Sequence, residues 1–204
     1  MTGWRPALPA PTSESGFIKE FLYFMEISEM RAVMEAIIYV ADDPVKMDQF
    51  QEVFPGESQE NIKQALTEMV EAFNKREGGM QIREIAGGWR MTTLPEHHEY
   101  IRSYLKTRPN SKLSLAALET LAVIAYKQPV TQAEIQAIRG KKSSSSTLQT
   151  LLEKKLVSIQ GRKQVVGKPI LYGTSRDFLI HFGLNSLADL PTLEEFAQLA
   201  DEQA

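Results

Sequence analysis

Along residues 29–76 the apolar positions recur at spacings of three and four, and after residue 80 they alternate. The first regime predicts helices and the second a hairpin. Glu29–Ala41 (EMRAVMEAIIYVA) reads as a helix ended by Asp42-Asp43-Pro44, since a proline disfavours helix in the residue before it. Met47–Val53 is a short helix, broken by Pro55-Gly56. Ser58 is placed to cap a longer helix reaching about Arg76, with Ile62, Leu66, Met69, Val70 and Phe73 on one face. Gly78-Gly79 ends it. Met80, Ile82, Trp89 and Met91 then alternate with polar residues around Gly87-Gly88, a turn pair suited to a hairpin. Pro95 opens a helix to about Leu105.

The second half repeats this order. Leu115–Tyr126 has only Glu119 and Thr120 as polar residues, so the pattern predicts a helix buried nearly all round. Pro129-Val130 follows, and Thr131 with Glu134 has capping-box spacing for a helix ending near Arg139-Gly140. Ser143–Lys155 reads as a third helix with Leu148, Leu151 and Leu152 inward. Val157–Gln160 and Ile170–Thr174 read as strands joined by the basic tip Gly161–Pro169. Asp177–Phe182 is a short helix closed by Gly183, and Thr192 with Glu195 starts a last one to about Ala200.

The repetition extends to residues. AIIYVADDPV (Ala36–Val45) matches LAVIAYKQPV (Leu121–Val130) at an offset of 85, the distance from Pro44 to Pro129. At that offset Phe50 meets Ile135 and Val53 meets Ile138. One small domain used twice is the reading. Helix, short strand, helix, helix, hairpin is the winged-helix order, a helix-turn-helix core with a β-hairpin wing. The expected fold is therefore α+β, mainly helical, with two tandem winged-helix domains. The expected parts are a tail and aromatic helix over residues 1–28, a first winged helix over 29–106, a second over 107–183, and an acidic tail over 184–204.

Charge separates these parts. Residues 1–106 carry 11 Lys/Arg against 17 Asp/Glu, residues 107–183 carry 12 against 4, and residues 184–204 carry none against 5. A basic block between acidic flanks suits nucleic acid or an acidic protein partner. In the tail, Phe17, Phe21 and Phe24 repeat at helical spacing beside Ile18, Leu22 and Met25, more apolar face than one short helix needs. They are the candidate dimerisation residues.

Candidate chemistry is sparse. Cysteine is absent, which excludes disulfides, thiolate metal sites and a cysteine nucleophile. Of three histidines, His97 and His98 are adjacent and point apart. Gly161-Arg-Lys-Gln-Val-Val-Gly167-Lys168 resembles a phosphate loop only superficially. It has five residues between its glycines, and Pro169 follows where the motif needs Ser or Thr. Acidic pairs such as Asp42-Asp43 and Glu194-Glu195 sit where helices end or begin and read as turn and cap residues. No catalytic residue, metal site or cofactor is expected. No apolar run approaches a membrane span, and Met1–Pro11 lacks the features of a signal peptide, so a cytoplasmic location is expected.

Two groups remain. Arg139, Lys141, Lys142 and Ser143, at the turn before the third helix, are candidate phosphate contacts for non-specific DNA binding. The helix behind them offers short hydroxyls and no bidentate base reader. Arg162, Lys163 and Lys168 surround Leu171, Tyr172 and Phe178, the composition of a hot spot with a charged rim. Tyr172 and Phe178 would equally serve to close the domain's core.

The second half also carries a family pattern. It comprises LSLAALETLAVIAYKQ to Gln128, Pro129-Val130-Thr131 with Ala133-Glu134-Ile135, and Ile138-Arg139-Gly140. It continues through Gly161-Arg162-Lys163, Gly167-Lys168-Pro169, Leu171-Tyr172-Gly173-Thr174, Phe182-Gly183-Leu184 and Asp189-Leu190-Pro191. Over about residues 30–191 this resembles the bacterial segregation and condensation protein B family. The resemblance implies tandem winged helices without a catalytic site and a homodimer formed through the first domain. It implies a second domain that binds the kleisin subunit (segregation and condensation protein A) and, through it, SMC. The implied role is that of an accessory subunit in chromosome condensation and segregation at cell division. Gln164 and Val166 stand where the family wing usually has Asp and Pro. That departure keeps open a sequence-tolerant DNA-binding or transcription-regulating winged-helix protein.

Overall fold

A computed structural model describes residues 26–105, 113–140, 145–192 and 194–195. The chain divides into two compact units at Gly78/Gly79.

The first unit holds α1 (Ile27–Val40), α2 (Met47–Val53) and α3 (Gln59–Lys75). Helix α1 buries Met30, Met34 and Ile38, four residues apart, so one stripe packs on α3. Helix α3 answers with Ile62, Ala65, Leu66, Met69 and Phe73. Phe50 and Phe54, at the end of α2, complete the core. Arg31 to Glu68, and Arg76 to Glu35 at 3.2 Å, tie α1 to α3 along their exposed edges. Ser58 caps α3 by accepting the Asn61 N–H at 3.1 Å.

The second unit opens with the antiparallel hairpin β1 (Met80–Ile85) and β2 (Gly88–Thr93). Its turn is Ala86-Gly87, both with positive φ (52° and 72°), as a type I′ turn requires. That is one residue earlier than the expected Gly87-Gly88, because Gly88 is spent in the ladder opposite Ile85. The Ala86 N–H donates to the Leu184 carbonyl at 2.9 Å, and the Gly87 N–H to Asn185 Oδ1 at 2.8 Å. These bonds hold alanine in its unusual backbone region. A single 3₁₀ turn, Pro95–His97, leads into α4 (His98–Leu105).

Then come α5 (Leu115–Lys127), β3 (Val130–Thr131), α6 (Gln132–Arg139), α7 (Ser145–Glu153), β4 (Val157–Arg162), β5 (Ile170–Thr174) and α8 (Arg176–Phe182). The three strands form one sheet in the order β3-β5-β4, with a bulge in β4 between Ile159 and Gly161. One core unites Leu121 and Ile124 of α5 with Ile135, Leu151, Val157, Tyr172 and Phe178. Helix α5 is not buried all round: Leu115 and Leu118 are 73% and 44% exposed. Among the described residues one of its faces has a layer to cover it, as expected when a small domain has two layers. The Thr131/Glu134 capping box forms as read.

Helix, strand, helix, helix, hairpin thus runs from α5 to β5. The first half has the same order, with Val45 as an isolated bridge residue in place of the short strand. The fold is α+β with the winged-helix order used twice. The boundary expected between 106 and 107 falls within residues 106–112, which lie outside the described residues. The division into units comes earlier, ahead of the first hairpin, whose tip is bonded to residues 184 and 185.

Candidate functional site

The basic tip between β4 and β5 is the second wing. Its shape comes from its own backbone. The Lys163 N–H donates to the Pro169 carbonyl, the Val165 N–H to the Lys163 carbonyl, and the Lys168 N–H to the Val165 carbonyl, each at 2.9 Å. Gly161 (φ 130°) sits at the bulge and Gly167 (φ 84°) in the tip, conformations that favour glycine. The Arg162 guanidinium donates to the Lys168 carbonyl at 3.1 Å, bracing the tip from one side.

Not all the expected cations are available to a partner. Lys163 is already paired at the surface: its ammonium lies 2.5 Å from Glu134 Oε1. The other Glu134 oxygen accepts the Thr131 N–H at 2.8 Å and the Thr131 hydroxyl at 2.7 Å. Lys163 first, and then these two donors, hold the Glu134 carboxyl down at about 2, well under its ordinary value. Arg162 and Lys168 are exposed and form no ion pair among the described residues. Beside them Val165 and Val166 are 49% and 103% exposed, and Ile159 is 59% exposed, so the wing presents apolar side chains ringed by cations.

Three expected site residues are corrected by their positions. Tyr172 and Phe178 are 8% and 3% exposed and belong to the core. Side chains of β5 alternate between the two faces of the sheet, α5 packs against that strand, and Tyr172 lies on the face that joins the core. Phe178 lies on the inward face of α8. Leu171 on the other face is half-buried and stays at the base of the wing. Arg139, expected to meet phosphate, instead bonds Glu119 at 2.6 Å and the Thr120 hydroxyl at 2.8 Å, with a side chain only 8% exposed. It fastens the end of α6 to α5. Lys141, Lys142 and Ser143, like Phe17, Phe21 and Phe24, lie outside the described residues.

Sequence reasoning also missed a brace at the sheet. Gln128 Oε1 accepts the Thr174 N–H at 2.7 Å, while its Nε2 donates to the Ala125 carbonyl at 3.2 Å. Nothing local in the sequence pairs Gln128 with Thr174. Among the described residues no group of His, Asp and Glu could hold a metal ion, and no helix is long and apolar enough to cross a membrane.

The order of elements and the second wing define a tandem winged-helix protein. Residues 32–193 match the family model described as segregation and condensation complex subunit ScpB, and the chain belongs to that family. It is 43% identical over 178 residues to segregation and condensation protein B of Syntrophotalea carbinolica, covering 87% of this chain and 89% of that protein. Against the protein of the same name from Alkaliphilus oremlandii it is 40% identical over 172 residues, covering 84% and 92%. The crystal structure of ScpB from Mycobacterium tuberculosis is 31% identical, with 79% of this chain and 99% of that chain covered and a TM-score of 0.39.

Proposed function

We propose that the chain is a non-enzymatic accessory subunit of a bacterial SMC–kleisin complex. It would bind the kleisin subunit and support chromosome condensation and segregation. The observation that carries this reading is the family match, which spans residues 32–193 and both winged helices. The second wing supports it. Arg162 and Lys168 around Leu171, Val165 and Val166 form a small apolar surface with a cationic rim, suited to an acidic partner, where charge governs specificity and on-rate more than affinity. The subunit acts at the nucleoid as a homodimer, with Phe17, Phe21 and Phe24 as candidate contacts.

The test is co-purification of the full chain with the kleisin of the same genome, followed by light scattering. A stable complex at micromolar concentration is expected, and for the chain alone a particle of twice 23.0 kDa. Failure of the kleisin to co-elute would remove the reading. A free chain of 23.0 kDa would remove the homodimer. With Arg162→Glu/Lys168→Glu, a tenfold or greater loss of kleisin affinity is expected; wild-type affinity would leave the wing without a role in this contact.

A further inference from the structure

A second cationic surface lies away from the second wing, on the first hairpin. Arg83 and Arg90 face each other directly across the β1–β2 ladder. Like charges in that position oppose folding of the strand pair. Neither guanidinium forms an ion pair or hydrogen bond among the described residues. The two open into a cleft of about 700 Å³ between the hairpin, α4 and α8, which His98 and His181 also line. Its walls include Ile101, Ile180 and the 45% exposed Phe182.

The acids nearby are committed elsewhere. Asp189 feels the charge of Arg83, but its carboxylate accepts the Asn185 and Ser186 N–H groups at 2.8 and 3.0 Å. Glu99 lies 3.7 Å from Arg102, and Glu96 lies 3.7 Å from His97. Two unpaired guanidinium groups on one strand pair, above an apolar wall, make a bidentate site for carboxylates with room for side chains. The volume falls within the range of about 300–1,000 Å³ typical of ligand sites. Apolar walls beside the two arginines give phosphate rows nothing to bond, whereas they suit the side chains of a peptide.

We infer that the cleft between the first hairpin and α8 binds an acidic, aliphatic peptide segment, with Arg83 and Arg90 gripping a carboxylate and Ile180 and Phe182 taking its apolar neighbours. The inference rests on the reading that the chain's partner is a kleisin, and assigns that partner a second point of attachment.

The experiment titrates the full-length kleisin into the full chain by calorimetry, as wild type, Arg83→Gln/Arg90→Gln, and Arg83→Lys/Arg90→Lys. Each variant is first matched to wild type by circular dichroism and melting temperature. A 20-base-pair duplex is titrated in parallel. The glutamine pair is expected to lose at least tenfold in kleisin affinity, and the lysine pair, which keeps charge without the planar fork, to lose less. Kleisin affinity unchanged in the glutamine pair would overturn the cleft while leaving the proposed function in place. No binding by wild type would overturn both. Loss of duplex binding rather than kleisin binding in the glutamine pair would overturn the peptide in favour of phosphate.

Discussion

Arg139, expected to meet phosphate, and Glu134, expected to cap a helix, both serve the fold of the second winged helix. Arg139 ends α6 and reaches back to Glu119 and to Thr120, which is fully buried. Removing the guanidinium leaves the Thr120 hydroxyl to its remaining bond, donated to the Ala116 carbonyl at 2.8 Å. It also leaves the Glu119 carboxylate without its cation. Arg139→Ala should therefore destabilise the chain by about 1–3 kcal/mol, read by urea denaturation. If Arg139 met DNA instead, the change would weaken duplex binding and spare stability. Glu134 behaves as a carboxylate with a depressed pKa. Its folded value of about 2 lies below the ordinary 4.5, so its stabilisation is fully present above about pH 4.5 and is lost as pH falls through about 2. The melting temperature of wild type should exceed that of Glu134→Gln at pH 7, and the gap should close on acidification across that window. A gap independent of pH would mean that the Lys163 pair does not contribute.

At the level of elements, the sequence pattern located the helices well because their ends carry local signals. The Ser58 cap, the Thr131/Glu134 box and the Gly183 stop each lie within a few residues of what they terminate. Other features depend on groups far along the chain, and no short window contains them. The hairpin turn lies at Ala86-Gly87, where Gly88 pairs with Ile85 in the ladder and residues 184 and 185 accept the N–H groups of the turn. Tyr172 is core because it lies on the face of the sheet that joins the core, where α5 packs against β5. Lys163 and Glu134 are separated by 29 positions. Gly173 belongs to the same category. A Cβ there would stand 2.7 Å from Gln128 Oε1 and 2.8 Å from Gln160 Cγ, and the Gln128 side chain is already held by Thr174. Gly173→Ala should cost about 1–3 kcal/mol by displacing that brace. Ser58→Ala, which removes only a cap, should cost about 1 kcal/mol. Thermal melts of the two variants beside wild type check both; a Gly173→Ala melting temperature equal to that of wild type would mean that the Gln128 brace is dispensable.

For the whole molecule, the second winged helix carries its own core. Every buried residue of that cluster lies between Ala117 and Phe178, with Leu184 and Leu190 packed against it. A fragment spanning residues 113–192 should therefore melt cooperatively on its own. A broad, non-cooperative loss of ellipticity would show that it needs the rest of the chain.

The bonds from the tip of the first hairpin to residues 184 and 185 also make a ring of the polypeptide between them. Everything from residue 87 to residue 184, including residues 106–112, becomes a tether whose two ends are already fastened. The free energy of closing such a ring depends on the logarithm of its contour, so doubling it costs only about 0.6 kcal/mol. Ten glycine and serine residues inserted within 106–112 lengthen the ring by far less than a doubling. The melting transition of the full chain should hardly move, whereas Asn185→Ala, which removes one of the two fastenings, should lower it by a similar amount with or without the insertion.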